Sequence, residues 1–319
     1  MSLILSTAPH TRTNRTTARL MGNVLLSLVP CTVAAVYFYG FFALVSIAIS
    51  VASAIGAEYL WCLFSGRKCR INDLSAAVTG LLLALCISPK APWWIYIVGS
   101  AFAIIIVKQL FGGIGDNFLN PALAARAVLL ASWPAILTTH VLPATEGTLS
   151  MTDAVTSATQ LATGAYSLKE LFFGSVPGAM GETCKLAILI GFVILLATKT
   201  ITWRIPVISI ASAFVLDFLL GIGNGFSQAL NASLVNILSG GLLFGAVFMA
   251  TDYTTSPMKP LSQAIYAAGF GVLSILIRHF GAYPEGVTYA ILLMNIVTPL
   301  LDRMIPSKIY GYKRKKKEA

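Results

Sequence analysis

Charged residues are scarce in this sequence. They make up only 11% of its 319 residues, whereas a soluble globular domain carries about 25%. Hydrophobic residues make up 57%, and the mean hydropathy is +0.81. A soluble fold of this length could not remove so much apolar surface from water. The composition therefore excludes a soluble enzyme or binding domain and predicts that lipid covers much of the chain.

Cysteine is scarce as well, and its spacing excludes several kinds of site. The five Cys residues are scattered, without the close pairs that hold zinc or an iron–sulfur cluster. We expect small packing residues and neither a metal site nor a disulfide. The sequence also lacks a nucleophile triad and a nucleotide-binding glycine loop after a strand, so it does not predict a standalone enzyme. The cysteines are Cys31, Cys62, Cys69, Cys86 and Cys184.

Long apolar runs fill most of the chain. A helix that crosses a bilayer needs about 20 apolar residues, and fewer when it is broken or partly buried in protein. The polar first 19 residues do not resemble a cleaved signal peptide, so we expect the first span to be retained. Ten spans are predicted: Leu20–Tyr39, Phe41–Phe64, Leu74–Ser88, Trp93–Phe111, Pro121–Trp133, Cys184–Thr202, Ile205–Leu220, Leu234–Ala250, Leu261–Phe280 and Val287–Leu301.

The distribution of Lys and Arg predicts the orientation of these spans. With ten spans both termini lie on one side, and 17 of the 22 basic residues fall on that side, against four on the other. Because loops rich in Lys and Arg remain in the cytoplasm, both termini are predicted to be cytoplasmic. The basic cluster Lys313–Lys317 then serves as a topology anchor beside anionic membrane lipid, which we favour over nucleic-acid binding.

One long polar stretch divides the predicted spans into two groups of five. Because five is odd, a repeat between the halves must be inverted across the membrane plane. Gly80–Ala84 resembles Gly241–Gly245, and helix starts at Pro121 and Pro260 are candidates for holding an anionic ligand. The predicted organisation is an N-terminal tail (1–19), a first five-helix repeat (20–134), an outer loop (135–183), a second five-helix repeat (184–304) and a basic cytoplasmic tail (305–319).

The outer loop contains a short motif with an accessible hydroxyl group. It comprises Asp153, Thr156, Ser157, Ala158 and Thr159, so that two small residues precede the last threonine. Small neighbours leave room for a modifying enzyme and for a large group on the hydroxyl. By composition alone, an ordinary Ser- and Thr-rich loop is the other interpretation.

The motif resembles the flavinylation signature of the RnfD/NqrB family, Asp-x-x-(Ser/Thr)-(Gly/Ser/Ala)-Ala-Thr. In that family a flavin transferase attaches FMN to the last threonine by a phosphoester bond, so the resemblance implies FMN on Thr159. Asp153, Thr156, Ser157 and Ala158 would form the recognition context of the transferase. Gln160 departs from the family pattern, in which proline is more common.

Two further stretches extend the resemblance over nearly the whole chain. Gly112–Ala122 is similar to the glycine-rich turn of the family before its fifth span, and Met249–Pro257 to its turn after the eighth. The longer N-terminal extension of NqrB has no counterpart here, which favours the RnfD branch.

The resemblance implies both a function and a fold. The expected protein is an electron-transfer subunit of an Rnf complex in the bacterial cytoplasmic (inner) membrane, assembled with the other Rnf subunits. Such complexes pass electrons between ferredoxin and NAD⁺ and couple this transfer to movement of Na⁺ or H⁺. The expected fold is an all-α polytopic membrane protein with two inverted five-helix repeats, similar to urea channels. Some family members also hold a non-covalent riboflavin.

Three ionisable residues fall inside predicted spans, where charge is costly and functional roles are common. They are Glu58, Arg126 and Asp217. One interpretation places Glu58 and Asp217 on a cation path, and the other pairs Arg126 with a carboxylate such as Glu58 or Asp217, purely for structure. Arg126 is also a candidate for contact with flavin phosphate. The isolated histidines His10, His140 and His279 are predicted to be loop or interface residues.

A secondary transporter or channel without a redox cofactor is the alternative function. Ten spans and broken helices fit it equally well. Only the motif in the outer loop separates the two hypotheses at the level of sequence.

Overall fold

Apolar helices form most of the structure. The computed structural model describes residues 16–66, 71–141, 156–157, 167–281 and 286–305. In chain order its helices are α1 (Thr17–Tyr39), α2 (Phe41–Ser65), α3 (Ser75–Leu85), α4 (Trp93–Ala101, continuing as a π-helix over Phe102–Gln109), α5 (Pro121–Ser132), α6 (Pro134–Thr138), α7 (Leu168–Phe173), α8 (Lys185–Ala197), α9 (Arg204–Gly221), α10 (Phe226–Leu238), α11 (Leu242–Phe244, continuing as a π-helix over Gly245–Met249), α12 (Pro260–Phe280) and α13 (Val287–Met304). Short 3₁₀ turns cover Ile71–Asp73 and Ile222–Asn224, and the strands β1 (His140–Val141) and β2 (Thr156–Ser157) form one small antiparallel ladder.

The helices confirm the predicted fold class. Five of them, α1, α2, α9, α12 and α13, are long and apolar enough to cross a membrane unaided. Shorter apolar helices α3, α4, α5 and α8, and the bent pair of α10 with α11, occupy the remaining predicted spans. Each predicted span therefore coincides with an apolar helix or a broken one, and the chain is an all-α polytopic membrane protein.

The short helices form the interior of the bundle. Nearly every residue of α3 is buried, and so is every residue from Leu242 to Met249. Both segments are apolar around their whole circumference, which is the pattern of a helix surrounded by protein. Because other helices cover them, they need not span the bilayer, and their ends can satisfy backbone groups inside the protein.

The eighth predicted span is not continuous. The structure breaks it at Ser239–Gly241, and the two parts meet at an angle of 61°. Gly240 has a φ of 64°, in the left-handed region that favours glycine. A Cβ atom at Gly241 would collide with the carboxylate of Glu182. The prediction of one continuous helix over Leu234–Ala250 was therefore wrong. The pair Gly240 and Gly241 permits a break that hydropathy alone does not reveal.

The chain between α7 and α8 enters the interior and meets the end of α3. The Gly181 amide donates to the Leu85 carbonyl at 2.7 Å, which satisfies an unpaired group at the C-terminus of α3. Ala179 and Met180 are fully buried beside it. We call this end of the bundle, which also carries β1 and β2, the loop end. The starts of α3 and α5 lie at the opposite end.

Helix neighbours correspond between the two halves. In the first half α2 packs against α3 and α4, and in the second half α9 packs against α10 and α12. The pairs α1 with α8 and α5 with α13 join the halves. Such correspondence is what an internal repeat produces, and the inverted relation between the repeats stays a prediction.

Candidate functional site

The β ladder holds part of the motif that resembles the flavinylation signature, at the loop end. Ser157 pairs with His140 and Thr156 with Val141. Both residues of β1 are buried, so they fix the ladder to the protein. The other motif residues, Asp153, Ala158 and Thr159, lie outside the residues that the structure describes.

Arg126 pairs with a carboxylate that was not among the predicted partners. Its Nη1 lies 3.2 Å from Oε1 of Glu182, and both side chains are buried. The expected partners, Glu58 and Asp217, have other contacts. Glu182 reaches Arg126 because the segment before α8 enters the interior, a path that its sequence does not indicate.

A buried lysine close to this pair ties the same segment to the helix break. Nζ of Lys185 donates to the carbonyl of Gly240 at 3.4 Å and also to the carbonyl of Glu182. The loop-end cluster of Arg126, Glu182 and Lys185 thus joins α5, the start of α8 and the break before α11. In this cluster the guanidinium of Arg126 pairs with the Glu182 carboxylate, and the Lys185 ammonium donates to backbone carbonyls.

Glu58 forms the most enclosed ion pair, with Lys108. Nζ of Lys108 lies 2.8 Å from Oε1 of Glu58, and both side chains are 3% exposed. The ammonium also donates to the Ser75 hydroxyl at 2.5 Å, and the Gln109 amide donates to Oε1 of Glu58 at 2.7 Å. In the sequence, Lys108 is one of the 17 basic residues that fall on the predicted cytoplasmic side. Lys108 lies in the last turn of an apolar helix and not beyond its end. That position was the one signal in the sequence that its charge would be buried and paired.

Asp217 has an equivalent place in the second half. Its Oδ1 lies 2.7 Å from Nε2 of His279, and its Oδ2 accepts from the Asn236 amide at 3.0 Å. Asp217 is buried, whereas the His279 side chain is 40% exposed. Thus α2 and α9 each carry a buried acidic residue, which pairs with a basic residue in the last turn of a neighbouring helix. His279 was predicted to be a loop or interface residue, and its pairing with Asp217 was missed.

The three ionisable residues predicted inside spans therefore do not come together. Glu58, Arg126 and Asp217 each contact a different partner. A cation path that uses Glu58 and Asp217 would require these pairs to open. The contacts present are those of the other interpretation, in which each charged side chain pairs with a partner for structure.

A cavity of about 720 Å³, including its open mouth, lies at the opposite end of the bundle from the loop end. Its walls combine apolar side chains with hydroxyl and amide groups. The lining residues are Met21, Val24, Ser75, Val78, Thr79, Leu82, Lys108, Ile114, Asn117, Asn120, Pro121, Ala122, Leu195, Ile201, Phe248, Thr251, Asp252, Tyr253 and Thr254.

Only one of the two predicted helix starts lines this cavity. Pro121 does, and the side chain of Asn120 caps its helix by accepting from the amides of Ala122 at 3.1 Å and Leu123 at 3.3 Å. These two amides are therefore already satisfied by protein. Pro260, the other predicted start, is not among the lining residues.

One base and one acid stand on the wall of the cavity, among the residues described. The base is Lys108 and the acid is Asp252. Burial raises the pKa of the Asp252 carboxyl, and hydrogen bonds from the hydroxyls of Thr254 at 3.0 Å and Thr255 at 3.4 Å oppose that rise.

These observations define a multi-pass membrane protein with buried charge pairs and an internal cavity. Comparison with known sequences refines that description. The sequence model of the NQR2, RnfD, RnfE family matches residues 4–311. The chain belongs to this family.

Curated relatives match the chain over nearly its full length. It is 44% identical to the D subunit of the Na⁺-translocating ferredoxin:NAD⁺ oxidoreductase complex of Acetobacterium woodii, over 100% of this chain and 98% of the relative. It is 37% identical to the D subunit of the proton-translocating ferredoxin:NAD⁺ oxidoreductase complex of Clostridium ljungdahlii, over 97% and 96%. It is 36% identical to the D subunit of the ion-translocating oxidoreductase complex of Shewanella amazonensis, over 98% and 99%.

Proposed function

We propose that this chain is the membrane-embedded D subunit of an ion-translocating ferredoxin:NAD⁺ oxidoreductase complex. The observation that carries the proposal is its end-to-end similarity to three relatives named as D subunits of ion-translocating oxidoreductase complexes. The chain works as one part of a redox enzyme, with the other Rnf subunits as partners. The relatives named for Na⁺ and for protons are both similar over the whole chain, so similarity does not select the coupling ion.

The redox chemistry comes from FMN bound covalently to Thr159. The motif supports this assignment, and the β ladder supports it further because it fixes Thr156 and Ser157, just before the attachment point. A flavin transferase would recognise Asp153, Thr156, Ser157 and Ala158 and join the FMN phosphate to the threonine hydroxyl. The flavin supplies electron transfer, and the protein supplies position and electrostatics.

We also propose a second flavin, riboflavin, held without a covalent bond, because the family resemblance implies one in some members.

The membrane orientation follows from the distribution of charge. We place the loop end, and Thr159 with it, on the outer face of the bacterial cytoplasmic membrane, and both termini in the cytoplasm. The cavity then opens toward the cytoplasmic side.

Flavin fluorescence in a denaturing gel tests the covalent assignment. Wild-type chain made together with the flavin transferase should give a fluorescent band under ultraviolet light. Thr159→Ala should abolish the band, because the hydroxyl that forms the ester is gone. Thr152→Ala, which changes a threonine outside the motif in the same loop, should retain it. Fluorescence that survives in Thr159→Ala would move the attachment to another residue.

Transport without a redox cofactor is the second candidate function, and the internal cavity between the halves favours it. Liposomes that contain the purified chain alone should show no solute uptake if the chain acts in electron transfer. Selective uptake of a small solute by flavin-free protein would favour a channel or transporter.

A further inference from the structure

Three helices meet at one buried carboxylate at the loop end. Asp217 lies near the end of α9, and its side chain is 2% exposed. Its Oδ1 lies 2.7 Å from Nε2 of His279, which belongs to the last turn of α12. The Asn236 amide on α10 donates to both carboxylate oxygens, at 3.3 Å to Oδ1 and 3.0 Å to Oδ2. The carboxylate therefore holds α10 and α12 to the end of α9, and we call these three residues the clasp.

The residue beside His279 holds the same part of α10. The guanidinium of Arg278 donates to the carbonyl of Asn236 and, at 3.3 Å, to that of Ser239. Ser239 begins the break, also contacted by Lys185 of the loop-end cluster, in which α10 turns by 61° into α11. Carbonyls at the C-terminus of a helix lack helical partners and attract cations. The last turn of α12 thus fixes α10 at the break through two adjacent basic residues.

The first half of the chain contains a matching cluster at the opposite end of the bundle. It consists of Glu58 on α2, Lys108 at the end of the π-helix that continues α4, and Ser75 at the start of α3. Ser75 and Asn236 each lie five residues before the glycine that begins one of the two similar Gly-Leu-Leu segments. Both halves therefore use corresponding helices and positions to surround one buried acid with a base and a polar side chain.

The two clusters differ in their base. Lysine stays charged across the physiological range, whereas histidine changes its charge between about pH 5 and 8. The Lys108 side chain is 3% exposed, whereas that of His279 is 40% exposed. His279 also lies at the end of a span, where a polar side chain can reach the aqueous phase. Of the two clusters, the clasp is therefore the one that combines a titratable base with access to water.

Few other charges lie on the helices around His279, within the part of the chain that the structure describes. Its own helix contributes the neighbouring Arg278, and α9 contributes Asp217. Neither α10 nor α11 with its π-helix has an ionisable side chain. The helix α13 has its charged residues at the far end and one tyrosine, Tyr289, near its start, and tyrosine is neutral below about pH 10. Asp217 therefore supplies the opposite charge for a protonated His279.

We propose that the clasp responds to protons at the loop end: it holds α10 firmly when His279 is protonated and less firmly when the ring is neutral. A protonated ring adds an ion-pair attraction to its hydrogen bond with Asp217, whereas a neutral ring leaves the hydrogen bond alone. The added stabilisation is present at low pH and is lost as the pH rises through the range in which the ring loses its proton. Because Nε2 keeps its hydrogen to donate to Oδ1, the proton that is exchanged with water is the one on Nδ1.

Hydrogen–deuterium exchange of the α10 amides tests the clasp in the full-length protein. Variants are compared at the same pH, so the intrinsic pH dependence of exchange cancels. His279→Lys supplies the permanent charge that the first-half cluster has. It should exchange like the wild type at about pH 5.5, where the ring is protonated. At about pH 8.5 the wild type should exchange about two- to fivefold faster than His279→Lys, the range expected for an ion pair that is partly exposed to water.

His279→Gln gives the opposite pattern and does not depend on a lysine being accommodated. Its neutral side chain should make α10 exchange faster than in the wild type at about pH 5.5, by a similar factor, and equally fast at about pH 8.5. In an Asp217→Asn background, His279→Gln should have no effect at either pH, because the carboxylate that attracts the ring is gone.

Helix α3 is the internal control, because its cluster uses lysine. Its exchange should not depend on residue 279 at either pH. If the ratios of wild type to His279→Lys and to His279→Gln over α10 are the same at both pH values, the pair is purely structural and the inference is overturned. The inference depends on neither flavin, so that result would leave the proposed function unaffected.

Discussion

Arg126 shows what burial does to a single charge. The side chain lies on an apolar helix inside the bundle, where an isolated guanidinium would be costly. The need for a carboxylate partner was therefore predictable from the sequence. The identity of the partner was not, because Glu182 is 56 residues away in a segment without helical periodicity.

Removal of Arg126 should destabilise the protein strongly. Arg126→Met leaves the Glu182 carboxylate buried without this cation, and a broken buried pair costs about 3–5 kcal/mol. The double variant Arg126→Met with Glu182→Leu should recover part of that loss. Thermal unfolding in detergent measures both, with Arg19→Met, a change at an exposed arginine, as the control. Equal stability of Arg126→Met and Arg19→Met would contradict the importance of the pair.

At the scale of the elements, neighbouring helices can pack closely where a glycine lies at their contact. Gly80 places α3 directly on α2, since an added Cβ would lie 2.8 Å from the Ser50 carbonyl oxygen and 2.9 Å from the Val51 Cα. Gly56, on α2 itself, has no atom within 4 Å of such a Cβ. The two positions are indistinguishable by composition, because only the fold determines which glycine faces a neighbouring helix.

This difference makes Gly80→Ala and Gly56→Ala a matched pair. Both replacements gain up to about 1 kcal/mol of helix propensity. Gly80→Ala should nevertheless lose about 1–3 kcal/mol, because it forces α2 and α3 apart, whereas Gly56→Ala should be neutral or stabilising. Unfolding temperatures of the two variants check this, and a Gly80→Ala protein as stable as Gly56→Ala would show that the interface can adjust.

At the scale of the whole molecule, hydropathy and turn residues predicted the all-α membrane class and the positions of the main apolar helices. The same signals missed the break at Ser239–Gly241 and the entry of the chain near Gly181 into the interior, because both depend on tertiary contacts. For the candidate site, the sequence pointed to the motif before Thr159 and to the buried charges Glu58, Arg126 and Asp217. It did not predict the partners Lys108, Glu182 and His279 or the cavity, which exist only once distant segments pack together.

Membrane orientation is a further property of the whole molecule that labelling can check. A cysteine introduced at Ser150, in the outer loop, should react with a membrane-impermeant maleimide in intact cells. A cysteine at Ala319 should react only after the cells are broken, because we propose that the basic tail lies in the cytoplasm. The reverse pattern would invert the proposed topology and place the flavin loop inside the cell.

The attachment of FMN to Thr159 is the central claim, and mass spectrometry of the loop peptide tests it most directly. In protein from the native host, the peptide that contains Thr159 should carry the mass of one FMN less one water, and fragmentation should place it on that threonine. A peptide of unmodified mass would contradict the assignment of this chain as a covalent flavin carrier.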